Sequence, residues 1–505
     1  MQPLLYHELV HDAASRFPDK VAVSCGDRRM TFAELSDRTT RLAAVLVDRG
    51  VAPGDRVGWW GATAAEAAVL YLAVAEAGAI FCPVNPRFSE AEAAAVLDWV
   101  GATLVVSDGT LPGDLSLDGL LAEQPRRDRP LPQVDEASTH VIFFTSGTTG
   151  RPKGVEISHR ADRLRALSQA VPFPRGPSIV MFPQFHMAAW KHTHEAWASG
   201  DEAVLVDGGD TEAILHAVQD HRAARLYALP AVWRRILALD LDAYDLRSLR
   251  FTDTGTSSTP PELLDAIGTA FPQAAVTVTY GSTEAGIACR LGPDDVRTHP
   301  GSVGPLLPGV RARVEDGELW LRSPFLFSRY YGDEEATAAA LVDGWFHTGE
   351  LVERTAEGYF SIVGRKADII RTGGESVAPA EVDAVLQSHP DVVDAAVAGV
   401  PDVDWGELVT AFVVVRSGAT VDLEALRGLC AGRLASYKHP RRLVVVDAVP
   451  RTGPTQQVQR SQLAALAQEA RVDRPPGADV APGADRSPGT DRSPGADRSP
   501  GAAVR

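Results

Sequence analysis

The stretch TSGTTGRPKG, residues 145–154, follows directly after the apolar run VIFF at 141–144. Its three glycines let backbone N–H groups turn toward one centre, its hydroxyl groups add donors, and Lys153 adds a point charge. It is not a Walker A loop, because the lysine follows Pro152 and no Ser or Thr comes after it. The stretch predicts a loop that binds an anion such as phosphate, although a flexible connecting loop can have a similar composition.

Composition limits the classes of protein to which the chain can belong. It has 505 residues, of which 45% are hydrophobic, and a formal net charge of −17. That length suits about two to four domains, and the negative charge argues against nucleic acid as a partner. No apolar run approaches the roughly 20 residues of a membrane span, and the N-terminus lacks the features of a signal peptide. We therefore expect a cytoplasmic protein without a membrane span.

Two residue types are scarce. The cysteines form no CxxC pair, which argues against a zinc site or a disulfide framework and suits a reducing cytoplasm; they are Cys25, Cys82, Cys289 and Cys430. Of the 49 cationic residues only five are lysines. Because lysine and arginine do different chemistry, each lysine is a candidate for a specific role.

Strand-like and helical segments alternate from about residue 20 to residue 370. The first four read as strand, helix, strand and helix: VAVSCG, FAELSDRTTRLAAVLVDRG, DRVGWWG and AAEAAVLYLAVAEAGAIFCPV. This alternation predicts an α/β fold with layers of largely parallel sheets. Two later segments, VRARVEDGELWLRS and GYFSIVGR, predict short antiparallel strands and a more β-rich subdomain.

The chain divides into three parts. Residues 1–366 predict a large N-terminal domain, and residues 367–470 a compact α+β domain of usual size. Residues 471–505 form the third part, in which a six-residue pattern rich in Pro, Gly, Asp and Ser repeats from Pro476 to the end. These residues cannot offset the entropy of ordering, so we predict a disordered tail.

Five further motifs follow the glycine-rich stretch in order: FTDTGTSS at 251–258, VTVTYGSTEAG at 276–286, GWFHTGELV at 344–352, GRKADIIRTGGESVAPAEVD at 364–383 and YKHPRRLVVVDAVPRTG at 437–453. Together with it they resemble the adenylate-forming superfamily, which includes acyl-CoA synthetases, luciferases and peptide synthetase adenylation domains. The resemblance covers roughly residues 10 to 465. It implies a large N-terminal domain that binds ATP and an acid, and a small mobile C-terminal domain.

The resemblance assigns roles residue by residue. The residues implied to hold the β- and γ-phosphates of ATP are Thr145, Ser146, Gly147, Thr148, Thr149 and Lys153. The residues implied to lie around the adenine, the acid and the phosphates are Gly255, Thr256, Tyr280, Gly281 and Thr283, with Tyr280 stacked on the adenine. Glu284 is similar to the family's Mg²⁺ ligand, and hard carboxylate oxygens suit that ion.

Two positions depart mildly from the family pattern. Glu350 occupies the position at which the family usually has an aspartate that contacts both ribose hydroxyls. Arg365 matches the family's second residue in contact with the ribose. Ala367 stands at the hinge about which the smaller domain would rotate between adenylation and transfer. Gly373, Gly374 and Glu375 would face the active site during transfer.

One departure is larger. The family's C-terminal loop normally carries a lysine that bridges the acid and the α-phosphate, and the stretch RTGPTQQVQR at 451–460 puts Gln457 there. No lysine follows Lys438, so a different register cannot supply one. Loss of one such donor typically costs ~3 kcal/mol of transition-state stabilisation. The enzyme is then a slow ligase, a specialist in transfer from an adenylate made elsewhere, or an enzyme whose first substrate does not need the lysine.

The stretch MFPQFHMAAWKHTHEAW at 181–197 predicts the acid pocket. His186 matches the family's gating position at the pocket mouth. A helix after it puts four residues on one face, at Ala189, Trp190, Thr193 and Trp197. Three polar residues on the helix either point to solvent or line a short polar pocket for an aromatic or small acid; they are Lys191, His192 and His194. Lys191 would then pair with a substituent of the acid.

The resemblance implies an ATP- and Mg²⁺-dependent ligase, with Lys153, His186, Glu284 and Gln457 in the catalytic roles. The most direct reading is formation of an acyl-AMP with release of pyrophosphate, followed by transfer to coenzyme A. A rival reading is a diazotase of secondary metabolism, which uses ATP to activate nitrite and diazotises an aryl amine. A third is a non-catalytic nucleotide-binding protein.

Overall fold

The computed structural model describes residues 3–126, 130–145, 152–170, 175–257, 259–452 and 456–469, without the side chains of 169, 170, 468 and 469. Four residues of the predicted phosphate loop, Ser146, Gly147, Thr148 and Thr149, and the predicted tail at 471–505 lie outside these ranges. The chain forms two compact units. The larger contains residues 1–369 and 449–460, and the smaller contains 370–448 and the described chain from Ser461 onward. The domain bounds drawn from the sequence stay predictions.

The larger unit mixes helices and strands along its whole length. Its helices are α1 Glu8–Arg16, α2 Phe32–Asp48, α3 Ala65–Glu76, α4 Glu90–Val100, α5 Leu117–Ala122, α6 His159–Ala170, α7 Met187–Ala198, α8 Thr211–Asp220, α9 Pro230–Leu237, α10 Pro261–Ala270 and α11 Glu334–Ala340. Its strands are β1 Val21–Cys25, β2 Arg28–Thr31, β3 Arg56–Trp60, β4 Ile80–Val84, β5 Ala102–Ser107, β6 Leu115–Ser116, β7 Thr139–Thr145, β8 Lys153–Ser158, β9 Ser178–Val180, β10 Ala203–Leu205, β11 Arg225–Tyr227, β12 Phe251–Gly255, β13 Ala275–Ser282, β14 Gly286–Leu291, β15 Arg311–Glu315, β16 Glu318–Arg322, β17 Arg329–Tyr330, β18 Leu341–Val342, β19 Trp345–Arg354 and β20 Phe360–Arg365.

Three sheets organise these strands. The first has the order β14-β13-β12-β11-β9-β10-β1-β2 and is parallel except at its two edges. The second has the order β17-β8-β7-β4-β3-β5-β6 and is parallel from β7 to β6. The third joins β15, β16, β19, β18 and β20 in antiparallel pairs. The predicted α/β fold with largely parallel sheets and a β-rich part is confirmed.

Helix α3 shows how the sequence sets local structure. It is apolar and buried on all sides, as expected for a helix packed inside layers of sheet. The predicted helix through AAEAAVLYLAVAEAGAIFCPV was too long, because α3 ends at Glu76 and IFCPV forms strand β4. The reason is Gly78, whose φ of +73° allows a left-handed turn. The Ala79 N–H then donates to the Val74 carbonyl, which closes the end of the helix.

The smaller unit is α+β. Its strands are β21 Ile370–Thr372, β22 Glu375–Val377, β23 Val392–Asp402, β24 Gly406–Val415 and β25 Arg442–Val445, and its helices are α12 Pro379–Leu386, α13 Leu423–Cys430 and α14 Arg460–Glu469, of which Arg460 belongs to the larger unit. A long β23–β24 hairpin packs under α12 around an apolar core that includes Val397 and Ala411. Gly373 and Gly374 form the turn before β22 with positive φ angles.

The sheets of the larger unit bring the motif residues to strand ends. Gly255 ends β12, and Tyr280 lies near the end of the neighbouring parallel strand β13. In open α/β sheets the carboxyl ends of parallel strands are where ligands bind. Within the described ranges, none of the helices combines the length and the apolar character that a bilayer crossing needs.

Candidate active site

The predicted phosphate loop lies at the tip of a hairpin. Thr145 ends β7 and pairs across the hairpin with Lys153, the first residue of β8. The Lys153 ammonium nitrogen lies 4.6 Å from the centroid of the Tyr330 ring. Because the aromatic face is electron-rich, it attracts the ammonium group and holds it at one end of the site.

Tyr330 joins Lys153 to Glu284. Its hydroxyl donates to Glu284 Oε1 over 2.9 Å. Burial, with the added negative charge of Glu284, raises the pKa of Tyr330, so the phenol stays a neutral donor. No hydrogen bond to Glu284 Oε2 exists among the described residues. One hard carboxylate oxygen is therefore available, and Glu284 fits the predicted role of a Mg²⁺ ligand.

Glu284 is also fixed through its backbone. Its carbonyl oxygen accepts from the Phe327 N–H over 2.7 Å and from Arg165 Nη2 over 3.0 Å. Arg165 also donates twice to the Phe325 carbonyl, through Nε over 2.9 Å and Nη2 over 2.6 Å. The turn after β13 is thus held in place by a buried guanidinium.

Glu350, Tyr280 and Arg365 form a second group next to Glu284. Glu350 and Arg365 are cross-strand partners on β19 and β20, with Arg365 Nε 3.8 Å from Glu350 Oε1. The Tyr280 hydroxyl lies near enough to the Glu350 carboxylate to affect its pKa. Burial raises the pKa of Glu350 and the nearby Glu284 charge acts in the same direction, whereas Tyr280 and Arg365 oppose the shift. The longer glutamate thus lies beside the arginine, and the ribose-binding role of the pair stays a prediction.

Gln457 contacts this group directly. The segment 449–460 belongs to the larger unit and turns at Thr452, whose hydroxyl accepts from the Gln457 N–H over 3.0 Å. The Gln457 side-chain oxygen accepts from Arg365 Nη2 over 3.1 Å. The residue at the expected lysine position therefore acts as an acceptor toward a cation.

Close backbone approach explains two glycines of the motifs. A Cβ on Gly255 would lie 2.1 Å from the Thr279 carbonyl oxygen, and one on Gly281 would lie 2.2 Å from the Gly286 carbonyl oxygen. Thr256, next to Gly255, has a φ of +69°, a strained conformation for a β-branched residue that is usual at functional sites. Its Oγ1 lies 2.8 Å from the Tyr227 hydroxyl oxygen. Thr283 lies half-buried in the turn between β13 and β14.

His186 begins the predicted acid pocket. It caps helix α7, with Nδ1 accepting from the Ala188 N–H over 3.1 Å, and its ring stacks on Phe182 with centroids 5.9 Å apart. Burial lowers the pKa of His186 to about 4, so the ring is neutral at pH 7. The Tyr227 ring lies 5.5 Å from Phe182 and 4.7 Å from His192. This end of the site is aromatic.

The polar residues of α7 do not point to solvent, so that alternative from the sequence is wrong. The side chains of Lys191, His192 and His194 are 11%, 7% and 3% exposed. Lys191 Nζ lies 3.2 Å from Glu195 Oε1, and His192 Nδ1 lies 3.4 Å from Glu195 Oε2. Although burial opposes ionisation, Lys191 and His192 lower the pKa of Glu195 to about 2. The polar side chains of the helix can be buried because Lys191 and His192 both pair with Glu195.

His194 belongs to a different buried group from His192. It contacts the Tyr6 hydroxyl and lies 3.8 Å from Asp162 Oδ2, and His140 Nε2 lies 3.2 Å from the same oxygen. Two histidines at positions i and i+2 diverge on a helix. In the described ranges no cluster of three or more His, Cys, Asp or Glu residues could hold a metal ion.

The described residues thus form two groups. The nucleotide group runs from Lys153 through Glu284 and Glu350 to Gln457, and the acid group surrounds His186 and Thr256. Sequence reasoning missed Tyr330, which belongs to the nucleotide group, and Tyr227 and Glu195, which lie with the acid group. Tyr227 could have been found, because it ends a strand of the parallel sheet, whereas Tyr330 and Glu195 carry no sequence signal that sets them apart.

Comparison with known proteins gives consistent matches. Residues 10–331 match the family model for AMP-binding enzymes, and residues 381–455 match the model for the AMP-binding enzyme C-terminal domain. The chain is 31% identical to the indoleacetate–CoA ligase of Aromatoleum aromaticum, over 86% of this chain and 93% of that protein. The structure resembles the O-succinylbenzoate coenzyme A synthetase of Bacillus subtilis in complex with ATP and magnesium, with a TM-score of 0.83, 26% identity and coverage of 90% and 98%. It also resembles an amide bond synthetase from Marinactinospora thermotolerans, with a TM-score of 0.81, 28% identity and coverage of 92% and 99%.

Proposed function

The chain belongs to the AMP-binding enzyme family, and we propose that it activates a small aromatic carboxylic acid. The acid becomes an AMP anhydride, pyrophosphate leaves, and the acyl group passes to coenzyme A. The chain is an ATP-dependent, AMP-forming acid–CoA ligase. The observation that carries the finer proposal is the cluster of aromatic rings that Phe182 and Tyr227 form beside His186, the residue predicted to gate the acid pocket.

Each charged residue of the nucleotide group has a role in the proposed binding of ATP. Lys153 supplies positive charge to the phosphates, and Glu350 with Arg365 supplies acceptor and donor groups to the ribose hydroxyls. Glu284 would hold Mg²⁺, which neutralises phosphate charge when it is bound. In the first half-reaction an acid oxygen bonds to the α-phosphorus, and the bond from that phosphorus to the pyrophosphate oxygen breaks. Positioning and electrostatic stabilisation are what the protein contributes to such a step.

The acid pocket supports an aromatic substrate. Phe182 and Tyr227 present ring faces beside His186, and aromatic groups favour offset or edge contacts with other rings. Because His186 is neutral, it can gate the pocket without placing a charge beside the reacting carboxylate. The indoleacetate and succinylbenzoate ligases found in the comparisons act on acids with aromatic bodies.

The two alternative functions, a diazotase and a non-catalytic nucleotide-binding protein, are less well supported. The diazotase alternative finds no support in the relatives and structures reported above. A non-catalytic role does not suit a site in which Tyr330 joins Lys153 to Glu284 and in which Arg365 contacts both Glu350 and Gln457. We propose that the enzyme works in the cytoplasm, since its four cysteines are free thiols of the kind that a reducing compartment maintains.

A panel of acids tests the proposed function. Pyrophosphate and AMP release would be measured with benzoates, phenylacetates, cinnamates, and short and long fatty acids, each with and without coenzyme A. We expect release with an aryl acid and a CoA thioester by mass spectrometry only when coenzyme A is present. Release that requires an amine acceptor in place of coenzyme A, or an absence of AMP with every acid, would contradict the proposal.

Substitution of Gln457 by lysine tests whether the enzyme is a slow ligase because it lacks the family's C-terminal lysine. A new ammonium would face the Arg365 guanidinium, which is half exposed, and Arg365 would lose an acceptor. We expect no faster pyrophosphate release from Gln457→Lys and a KM for ATP raised about 3- to 10-fold. Gln456→Lys is the matched control, because it adds the same charge one residue away and keeps the acceptor. Faster release from Gln457→Lys would instead show that the wild type is a slow ligase for want of the lysine.

A further inference from the structure

A small cavity lies beside helix α7, on the face that carries Lys191, His194 and Glu195. Arg165 of α6 and Gly286 at the start of β14 close it from the other side. Its volume is about 20 Å³, whereas one water molecule needs roughly 10–15 Å³. The cavity therefore has room for one water molecule or one hydroxyl-sized group.

Two polar atoms at this cavity are buried without a hydrogen-bond partner, Glu195 Oε1 and Arg165 Nη1. Glu195 and Arg165 are only 5% and 8% exposed. Lys191 Nζ lies 3.2 Å from Glu195 Oε1 as an ion pair but not at a hydrogen-bonding angle. Buried polar groups are nearly always hydrogen-bonded, and a buried ion pair is weak evidence for stability. These groups indicate a binding role.

Lys191 belongs both to the cavity and to the acid pocket. Its ammonium nitrogen lies 5.7 Å from the centroid of the Tyr227 ring, and the Tyr227 hydroxyl is bonded to Thr256. A group that enters the cavity can therefore be part of the molecule that binds against Tyr227. This link makes the cavity part of substrate recognition.

The charges around the cavity cancel. Lys191 and Arg165 are cations, Glu195 and Asp162 are anions, and all four line the cavity. A charged substituent would leave a net buried charge, which is strongly unfavourable. A neutral group that both donates and accepts would satisfy Glu195 Oε1 and one of the two cations.

We propose that the acid substrate is an aryl acid with one hydroxyl or amino substituent, and that this substituent occupies the cavity. It donates to Glu195 Oε1 and accepts from Arg165 or Lys191, which makes these three residues determinants of specificity. The inference rests on the proposed function, because it assigns the acid of the same ligase reaction.

A matched series of acids tests the inference on the wild-type enzyme. Benzoate, phenylacetate and cinnamate would each be supplied unsubstituted and with a hydroxyl, amino, methyl or carboxyl group at each ring position. We expect kcat/KM for pyrophosphate release to be at least about a hundredfold higher for one hydroxy or amino isomer than for its methyl and unsubstituted analogues. Values within threefold across a series that is turned over, or a preference for the carboxyl analogues, would overturn the inference.

Variants and a binding measurement separate this inference from the proposed function. Glu195→Gln and Lys191→Met should reduce the preference ratio to below about tenfold, whereas Lys20→Met, a lysine outside the cavity, should keep it. A ratio measured within one variant is insensitive to general damage. Calorimetric titration of the wild type with the same acids covers the case in which a variant does not fold. If no acid releases pyrophosphate, the proposed function fails, while equal affinities for the hydroxy, amino and methyl acids refute the cavity's role.

Discussion

Glu284→Gln should lower kcat/KM for pyrophosphate release by about a hundredfold to a thousandfold. The substitution keeps the size of the side chain but removes the negative charge that binds a hard cation such as Mg²⁺. Losses of this size are typical when one electrostatic contact to a developing charge is removed. The measurement is steady-state pyrophosphate release at saturating acid, with the Mg²⁺ concentration varied.

Two controls make the Glu284 result specific. Tyr330→Phe removes the hydroxyl that donates to Glu284 and keeps the ring under Lys153, so it should cost only about fivefold. Glu353→Gln changes an exposed glutamate on β19 and should have no effect. If Glu284→Gln keeps more than about a tenth of the activity while it remains folded, Glu284 is not the proposed Mg²⁺ ligand.

Acid should unfold this protein at an unusually high pH. Burial lowers the pKa of His7, His186, His192 and His194 to about 4 in each case, whereas an unfolded histidine titrates near 6.5. The unfolded state therefore binds protons first, and the stability from these groups is complete above pH 6.5 and lost as the pH falls toward 4. At pH 5 each histidine costs about 2 kcal/mol. Their sum of about 8 kcal/mol is comparable to a typical total stability of ~5–15 kcal/mol.

Most of the other buried titratable groups add to this loss of stability at low pH. Burial also lowers the pKa of His140 and His159, and Glu195, with a pKa of about 2, loses its contribution at still lower pH. His11 acts in the opposite direction, because its pKa is raised, with Glu76 overcoming the effect of burial. The net expectation is a steep loss of stability between pH 6.5 and 4.

Urea unfolding followed by tryptophan fluorescence at pH 7.5, 6 and 5 would measure the loss. His192→Gln should reduce the loss of stability between pH 7.5 and pH 5 by about 2 kcal/mol. His216→Gln, at an exposed histidine on α8, should leave the pH profile unchanged. A free energy of unfolding that is the same at pH 7.5 and pH 5 would refute the expectation.

Much of the fold was predictable because its signals are local. The strand-helix alternation gave the layered α/β class, and Gly78 alone explains the one helix drawn too long. The nucleotide residues were predictable only as motif positions, and their roles stay predictions. Tyr330 was not predictable, since it reaches Lys153 and Glu284 from a distant part of the sequence through side-chain packing. The burial of Lys191 was not predictable either, because it depends on Glu195, one turn along α7, and on the elements that cover both.

The Tyr330 ring has a consequence for the enzyme without substrate. Lys153 and Glu284 carry opposite charges and both touch the same phenol, on its face and at its hydroxyl. The ring separates the two charged groups, so they do not form an ion pair with each other. An incoming nucleotide therefore meets separate positive and negative ends and need not break an internal ion pair. This preorganisation lowers the reorganisation cost that binding would otherwise carry.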